Sequence, residues 1–65
     1  MNRLKSLRQG HGLTQEGLAH KAGLSFTTIN KLENGHHQGT ETTLRKLAKV
    51  LGLPQRHWKQ LTEPV

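Results

Sequence analysis

Sixty-five residues make one small domain, with ten Lys or Arg against four Glu, no Asp, five His and a formal net charge of +6. The absence of cysteine excludes disulfides and thiolate zinc sites, no apolar run reaches the about 18 residues of a membrane span, and MNRLKSLRQG lacks the apolar stretch of a secretory signal. So few and scattered carboxylates are poor material for an enzyme; the composition points to a cytoplasmic, basic binding module for a polyanion.

Apolar residues are 31% of the chain and the aromatics are Phe26 and Trp58 alone, so the core is small, yet its members recur at helical spacing. Leu4 and Leu7 predict a first helix over about residues 2–10, before the break Gly10-His11-Gly12 and Leu13. Thr14 is an N-cap for a second, about 14–22, with Leu18, Ala19 and Ala22 on one face and Gly23 suited to a left-handed end. Gly17 occupies the place of the Glu that would close a capping box with Thr14. Ser25 caps a third helix, about 25–34, with Ile29 and Leu32 turned inward and Asn34-Gly35 at its end. His36-His37-Gln38-Gly39 reads as a loop. Thr40 caps a fourth helix, about 41–51, with the stripe Leu44, Leu47, Ala48 and Leu51, stopped by Gly52. Pro54 opens a fifth, about 54–62, carrying Trp58 and Leu61. No segment alternates with period two. The expectation is an all-α chain of five short helices.

Only Gly23, Leu24 and Ser25 separate Ala22 from Phe26. A turn this short, with a glycine, an apolar lock and a cap, is the chemistry of a helix-turn-helix. With Ile29 and Leu32 inward, the third helix turns Phe26, Thr27, Asn30 and Lys31 to solvent, with Thr28 at the edge.

Leu13-Thr14-Gln15-Glu16, Leu18-Ala19, Ala22-Gly23-Leu24-Ser25, Thr28-Ile29 and Leu32-Glu33-Asn34-Gly35 resemble the phage-repressor (Cro/C1, or XRE) type of helix-turn-helix family. The stretch from Leu44 to Leu53 is similar to that family's fourth helix and its exit, so the resemblance spans about residues 4–61. It implies a five-helix, lambda-repressor-like domain over residues 1–65 that binds double-stranded DNA sequence-specifically, as a two-fold dimer on a palindromic site. Carried over by position, it implies that Gln15 binds a backbone phosphate and that Asn34, His36, His37 and Gln38 touch phosphates. Phe26, Thr27 and Lys31 then face base edges, Thr28 contacts base or phosphate, and Arg8 and Glu33 form a partly buried ion pair between the first and third helices.

Elementary chemistry suits these roles. Thr14 and Gln15 lie where a helix N-terminus offers unpaired N–H groups to a phosphate. Lys31 can donate to guanine O6 or N7, and Thr27 can hydrogen-bond a base or set its methyl against thymine. Phe26 makes apolar contact only, with a thymine methyl, so DNA shape is expected to carry part of the specificity. Two further residues depart from the family pattern. Gly39 stands where the family often has Pro, which predicts a looser loop, and Glu41 puts a negative charge near a helix start that often faces phosphate.

Competing readings of single residues are plainer. Phe26 could pack as a core residue. His36-His37 could suggest a metal, but adjacent His side chains diverge and Glu41 is a poor third ligand, so no metal or cofactor is expected. Lys46, Lys49, Arg56 and Lys59 read as a solvated positive face. Val50 lies off the helical stripe, Leu61 and Val65 trail beyond what a five-helix core needs, and Trp58 is shared between core and surface; Val50, Trp58 and Leu61 are therefore expected to form a homodimer seam that sets two recognition helices about 34 Å apart. The alternative is that Leu61 and Val65 fold back on the monomer.

The leading reading is a repressor of prokaryotic or phage type. One alternative is an antitoxin that binds a toxin and its own operator, against which the short tail after Trp58 weighs. Another is a protein-interaction adaptor that keeps the fold without the groove chemistry, against which the basic charge and Gln15, Lys31 and Asn34 weigh. No nucleophile–base pair can be assembled for an enzyme.

Overall fold

Three of the helices begin in the same way. In the computed structural model, which describes residues 3–36 and 39–63, Thr14, Ser25 and Thr40 hold extended backbone and accept from the N–H three residues on: Gly17 at 2.9 Å, Thr28 at 3.1 Å and Thr43 at 3.2 Å. Each hydroxyl satisfies a backbone donor that has no intrahelical partner, which fixes where the helix starts. The elements are α1 (Arg3–Gly10), α2 (Gln15–Ala22), α3 (Phe26–Glu33), α4 (Glu41–Val50) and a terminal 3₁₀ helix (Gln55–Thr62). None of the described residues forms a strand, and no helix is long and apolar enough to cross a membrane.

The turn between α2 and α3 is set by one glycine. Gly23 adopts φ 69°, its N–H donates to the His20 carbonyl at 3.3 Å, and the Leu24 N–H reaches back to the Ala19 carbonyl at 2.8 Å. This paired closure needs a left-handed residue, which glycine supplies without a Cβ penalty. Leu24 then packs against the core and Ser25 starts the next helix. Three residues thus reverse the chain and leave α3 projecting beside α2.

Leu4, Leu18, Ile29, Leu32, Leu44, Leu47 and Leu61 are the largest fully buried side chains. They come from all five elements, so each helix contributes its apolar stripe to a single core. The core holds no fully buried aromatic ring; Trp58 packs against its edge, half-buried. A backbone bond from the Arg3 N–H to the Glu63 carbonyl, 3.1 Å, ties the start of α1 to the end of the 3₁₀ helix.

Three expectations change here. The fifth helix is a 3₁₀ helix rather than an α-helix, interrupted at His57 (φ −96°, ψ 18°), and Pro54 precedes it in an extended conformation. Three residues per turn place Trp58 and Leu61 on the same edge, which suffices to seat both against α4. Leu61 is 0% exposed, so it is a core residue of the monomer and cannot belong to a dimer seam. Gly39, expected to loosen its loop, instead makes a close approach. It holds φ +76°, and a Cβ there would lie 2.9 Å from Leu32 Cδ2 and 3.5 Å from Leu44 Cδ2. Proline, confined to negative φ, cannot take this conformation. Val65, also considered for the seam, lies outside the described residues.

Candidate nucleic-acid interface

The face of α3 divides sharply. Ile29, Leu32 and Glu33 are buried, Thr28 and Asn30 are half-buried, and Phe26, Thr27 and Lys31 are exposed. Phe26 is 47% exposed, the one large hydrophobic side chain left in solvent among the described residues. The structure therefore brings Phe26, Thr27 and Lys31 together on one outward surface, without packing the phenyl ring into the core. Thr28 lies at the rim, its hydroxyl 2.8 Å from the Ser25 hydroxyl.

Behind this surface is a polar network anchored on a buried charge. Arg8 Nε donates to Glu33 Oε2 at 2.6 Å and a second guanidinium nitrogen donates to Oε1 at 3.1 Å. The side chains are only 10% and 2% exposed. This two-pronged geometry satisfies both carboxylate oxygens and joins α1 to α3. The third guanidinium contact, 2.8 Å to the Leu13 carbonyl, fixes the α1–α2 connection as well. Burial of a carboxylate is tolerable here because both of its oxygens meet a donor.

Gln15 belongs to the same network. Its Nε2 donates to Glu33 Oε1 at 3.0 Å, while its Oε1 accepts from Asn30 Nδ2 at 3.4 Å. Asn34 Nδ2 in turn donates to Asn30 Oδ1 at 3.2 Å. The half-buried Gln15 thus sits beside α3 rather than standing free in solvent, whereas Asn34 and His36 are exposed. His37 and Gln38 lie outside the described residues. Sequence reading left Asn30 among the solvent-facing residues and gave it no role. The available signal was its spacing: Asn30 precedes Glu33 and Asn34 by three and four residues on the same helical face.

Glu41, the acid near the start of α4, is engaged by Arg45 Nε at 2.8 Å one turn along the helix. Its charge is offset within the helix and also complements the helix N-terminus. Lys46, Lys49, Arg56 and Lys59 are exposed. Lys21, Lys46 and Lys49 surround an open depression floored by Ala22 and Val50. Val50 and Trp58 are half-buried, and Lys59 Nζ lies 5.6 Å from the centre of the Trp58 ring.

The arrangement offers donors, a cation and one apolar ring on a projecting helix, above a rigid internal frame. Comparison with known proteins agrees with it. A family model described as helix-turn-helix matches residues 4–54. An uncharacterised HTH-type transcriptional regulator of Methanocaldococcus jannaschii is 42% identical over 52 residues, covering 80% of this chain and 79% of that protein. The uncharacterised HTH-type transcriptional regulator RghRB of Bacillus subtilis is 45% identical over 53 residues, 78% of this chain and 37% of its own. Antitoxin HipB of Escherichia coli is 40% identical over 52 residues, 80% of this chain and 59% of its own. The chain thus matches less than two thirds of the length of the last two relatives. No solved structure gives a significant match.

Proposed function

The chain belongs to the helix-turn-helix family, of the Cro/C1 type, and from that premise we propose that it is a sequence-specific DNA-binding transcriptional regulator. It acts as a repressor on a palindromic operator, in the cytoplasm of a prokaryotic cell or as a phage product. The observation that carries this reading is the projecting face of α3, where Phe26, Thr27 and Lys31 are exposed on a helix whose opposite face is locked by Ile29, Leu32 and Glu33. Such a helix is the right size for the major groove, where Lys31 meets guanine acceptors and Phe26 a thymine methyl. Gln15, Asn34 and the 36–38 loop supply phosphate contacts, and the net charge of +6 supplies the attraction.

Two copies bind half-sites about one helical turn, roughly 34 Å, apart. Val50 and Trp58 remain as seam residues, Leu61 being buried. Val50 is bordered by Lys21, Lys46 and Lys49, so two copies meeting there bring like charges together. Pairing is therefore favoured on the polyanion rather than in free solution. Val50→Lys, which adds a further like charge at the seam, abolishes cooperative filling of the two half-sites if the seam is right, and leaves it intact if the copies meet elsewhere.

The assignment of roles is tested by two variants. Lys31→Ala weakens binding to one sequence more than to others, whereas Gln15→Ala weakens all duplexes alike. Equal losses for both on every sequence would overturn it. A second reading is supported by the 40% identity to Antitoxin HipB: the chain neutralises a toxin and represses its own operon. Expression of the neighbouring gene, alone and together with this chain, decides it. Growth arrest relieved by the chain supports the antitoxin reading, and absence of arrest refutes it.

A further inference from the structure

We propose that Asn30 is a positioning residue, one link of an amide relay that carries the polarity of the buried Glu33 carboxylate outward and holds Gln15 ready for a phosphate. The inference rests on the DNA-binding reading and deepens it.

The argument begins with what a carboxylate can do: it accepts hydrogen bonds and donates none. Glu33 is 3% exposed and clamped by Arg8 on α1. Whatever Gln15 turns toward it must be a donor, so the Gln15 amide faces Glu33 with Nε2, at 3.0 Å. Its Oε1 is then committed to the other side, where only a donor is acceptable. Asn30 meets it with Nδ2, at 3.4 Å. That choice turns Asn30 Oδ1 toward Asn34, which answers with its own Nδ2 at 3.2 Å.

An isolated side-chain amide can flip end for end at little cost, because both ends can hydrogen-bond. Here one buried charge removes that freedom from three amides in succession. The relay joins α2 to α3, since Gln15 opens α2, Asn30 lies midway along α3 and Asn34 caps the end of α3. Gln15 is held at both ends of its amide. It also keeps a second N–H on Nε2, correctly turned before DNA arrives. Binding a phosphate then orders less of the side chain, so the contact is stronger than one from a freely rotating glutamine. Asn30 touches no phosphate in this scheme; it acts through Gln15 and Asn34.

The test is a mutant cycle on two unrelated duplexes, with a spectroscopic arm on the free protein. Asn30→Ala removes two hydrogen bonds, one to Gln15 and one from Asn34, and raises Kd by roughly three- to tenfold, by the same factor on both duplexes. In a Gln15→Ala, Asn34→Ala background the same substitution costs less than about twofold, because both phosphate contacts that it orders are gone. In the unbound protein, the side-chain amide protons of Gln15 exchange faster with solvent when Asn30 is alanine, while backbone amides of the core keep their protection. A merely structural Asn30 would change the core amides and leave the cycle additive. Should Asn30→Ala fail to fold, Asn30→Ser is used in its place.

Additive losses, or unchanged exchange at Gln15, would overturn the relay. A loss confined to one duplex would overturn it differently, by making Asn30 a reader of bases. If the wild type itself binds neither duplex, the DNA-binding reading falls and takes the proposal with it. The wild-type titration alone identifies that outcome.

Discussion

Substituting Arg8 by Met should strand the Glu33 carboxylate in the interior. The methionine keeps an apolar stem of similar reach but removes three donated bonds, two to Glu33 at 2.6 and 3.1 Å and one to the Leu13 carbonyl at 2.8 Å. Gln15 alone then faces a carboxylate whose side chain is 2% exposed. Breaking a buried pair in this way costs about 3–5 kcal/mol. The whole stability of a domain this size is on the order of 3–10 kcal/mol. The variant therefore loses at least about a third of its stability and can unfold outright. In a small domain each kcal/mol moves Tm by about 4–8 °C, so the drop is at least about 12 °C. The assay is urea and thermal unfolding followed by circular dichroism at 222 nm, roughly the helix band. Adding Glu33→Leu to Arg8→Met removes the orphaned charge and returns at least about 2 kcal/mol of the loss. A cost below about 1 kcal/mol for Arg8→Met, or a double variant no better than the single, would refute the claim that this pair holds α1 against α3.

Three further substitutions probe the loop, the α2–α3 turn and the exposed face of α3. Gly39→Ala pays both a left-handed backbone penalty of about 1–2 kcal/mol and the overlap of its Cβ with Leu32, whereas Gly23→Ala meets nothing within 4 Å and pays the backbone penalty alone. Denaturant midpoints should rank Gly39→Ala below Gly23→Ala; the reverse order would contradict the close approach at Gly39. Phe26→Ala should leave stability within about 0.5 kcal/mol, because the ring is exposed, yet weaken operator binding several-fold. A marked fall in Tm with unaltered binding would make Phe26 a packing residue instead.

Much of this arrangement is local and therefore legible in the sequence. Thr14, Ser25 and Thr40 cap where hydroxyl residues precede apolar stripes, and Gly23 closes α2 because a left-handed residue is needed between two helices so near in the chain. Distance along the chain hides the rest. Trp58 and Leu61 are three residues apart, a spacing that serves an α-helix and a 3₁₀ helix equally, so it did not distinguish the 3₁₀ helix from the expected α-helix. Nothing in the order of Trp58 and Leu61 says that Leu61 is fully buried while Trp58 stays half-buried at the edge of the core. Gly39 reads as a flexible loop residue until Leu32 Cδ2 is found 2.9 Å from where its Cβ would be. The Gln15–Glu33 and Gln15–Asn30 bonds join residues 18 and 15 positions apart. Such contacts arise only when the turn has laid α2 against α3; spacing within α3 relates Asn30 to Glu33 and Asn34 but says nothing of Gln15.

The central claim is that the exposed face of α3 reads DNA sequence. The most direct measurement is selection from a random duplex pool by the wild-type protein near physiological salt, followed by sequencing of what is retained. The account predicts a palindrome of two half-sites about one helical turn apart, with affinity falling steeply as salt rises. It also predicts that the preference shifts at defined positions when the selection is repeated with Lys31→Ala. A pool that returns unenriched from a folded protein would contradict it.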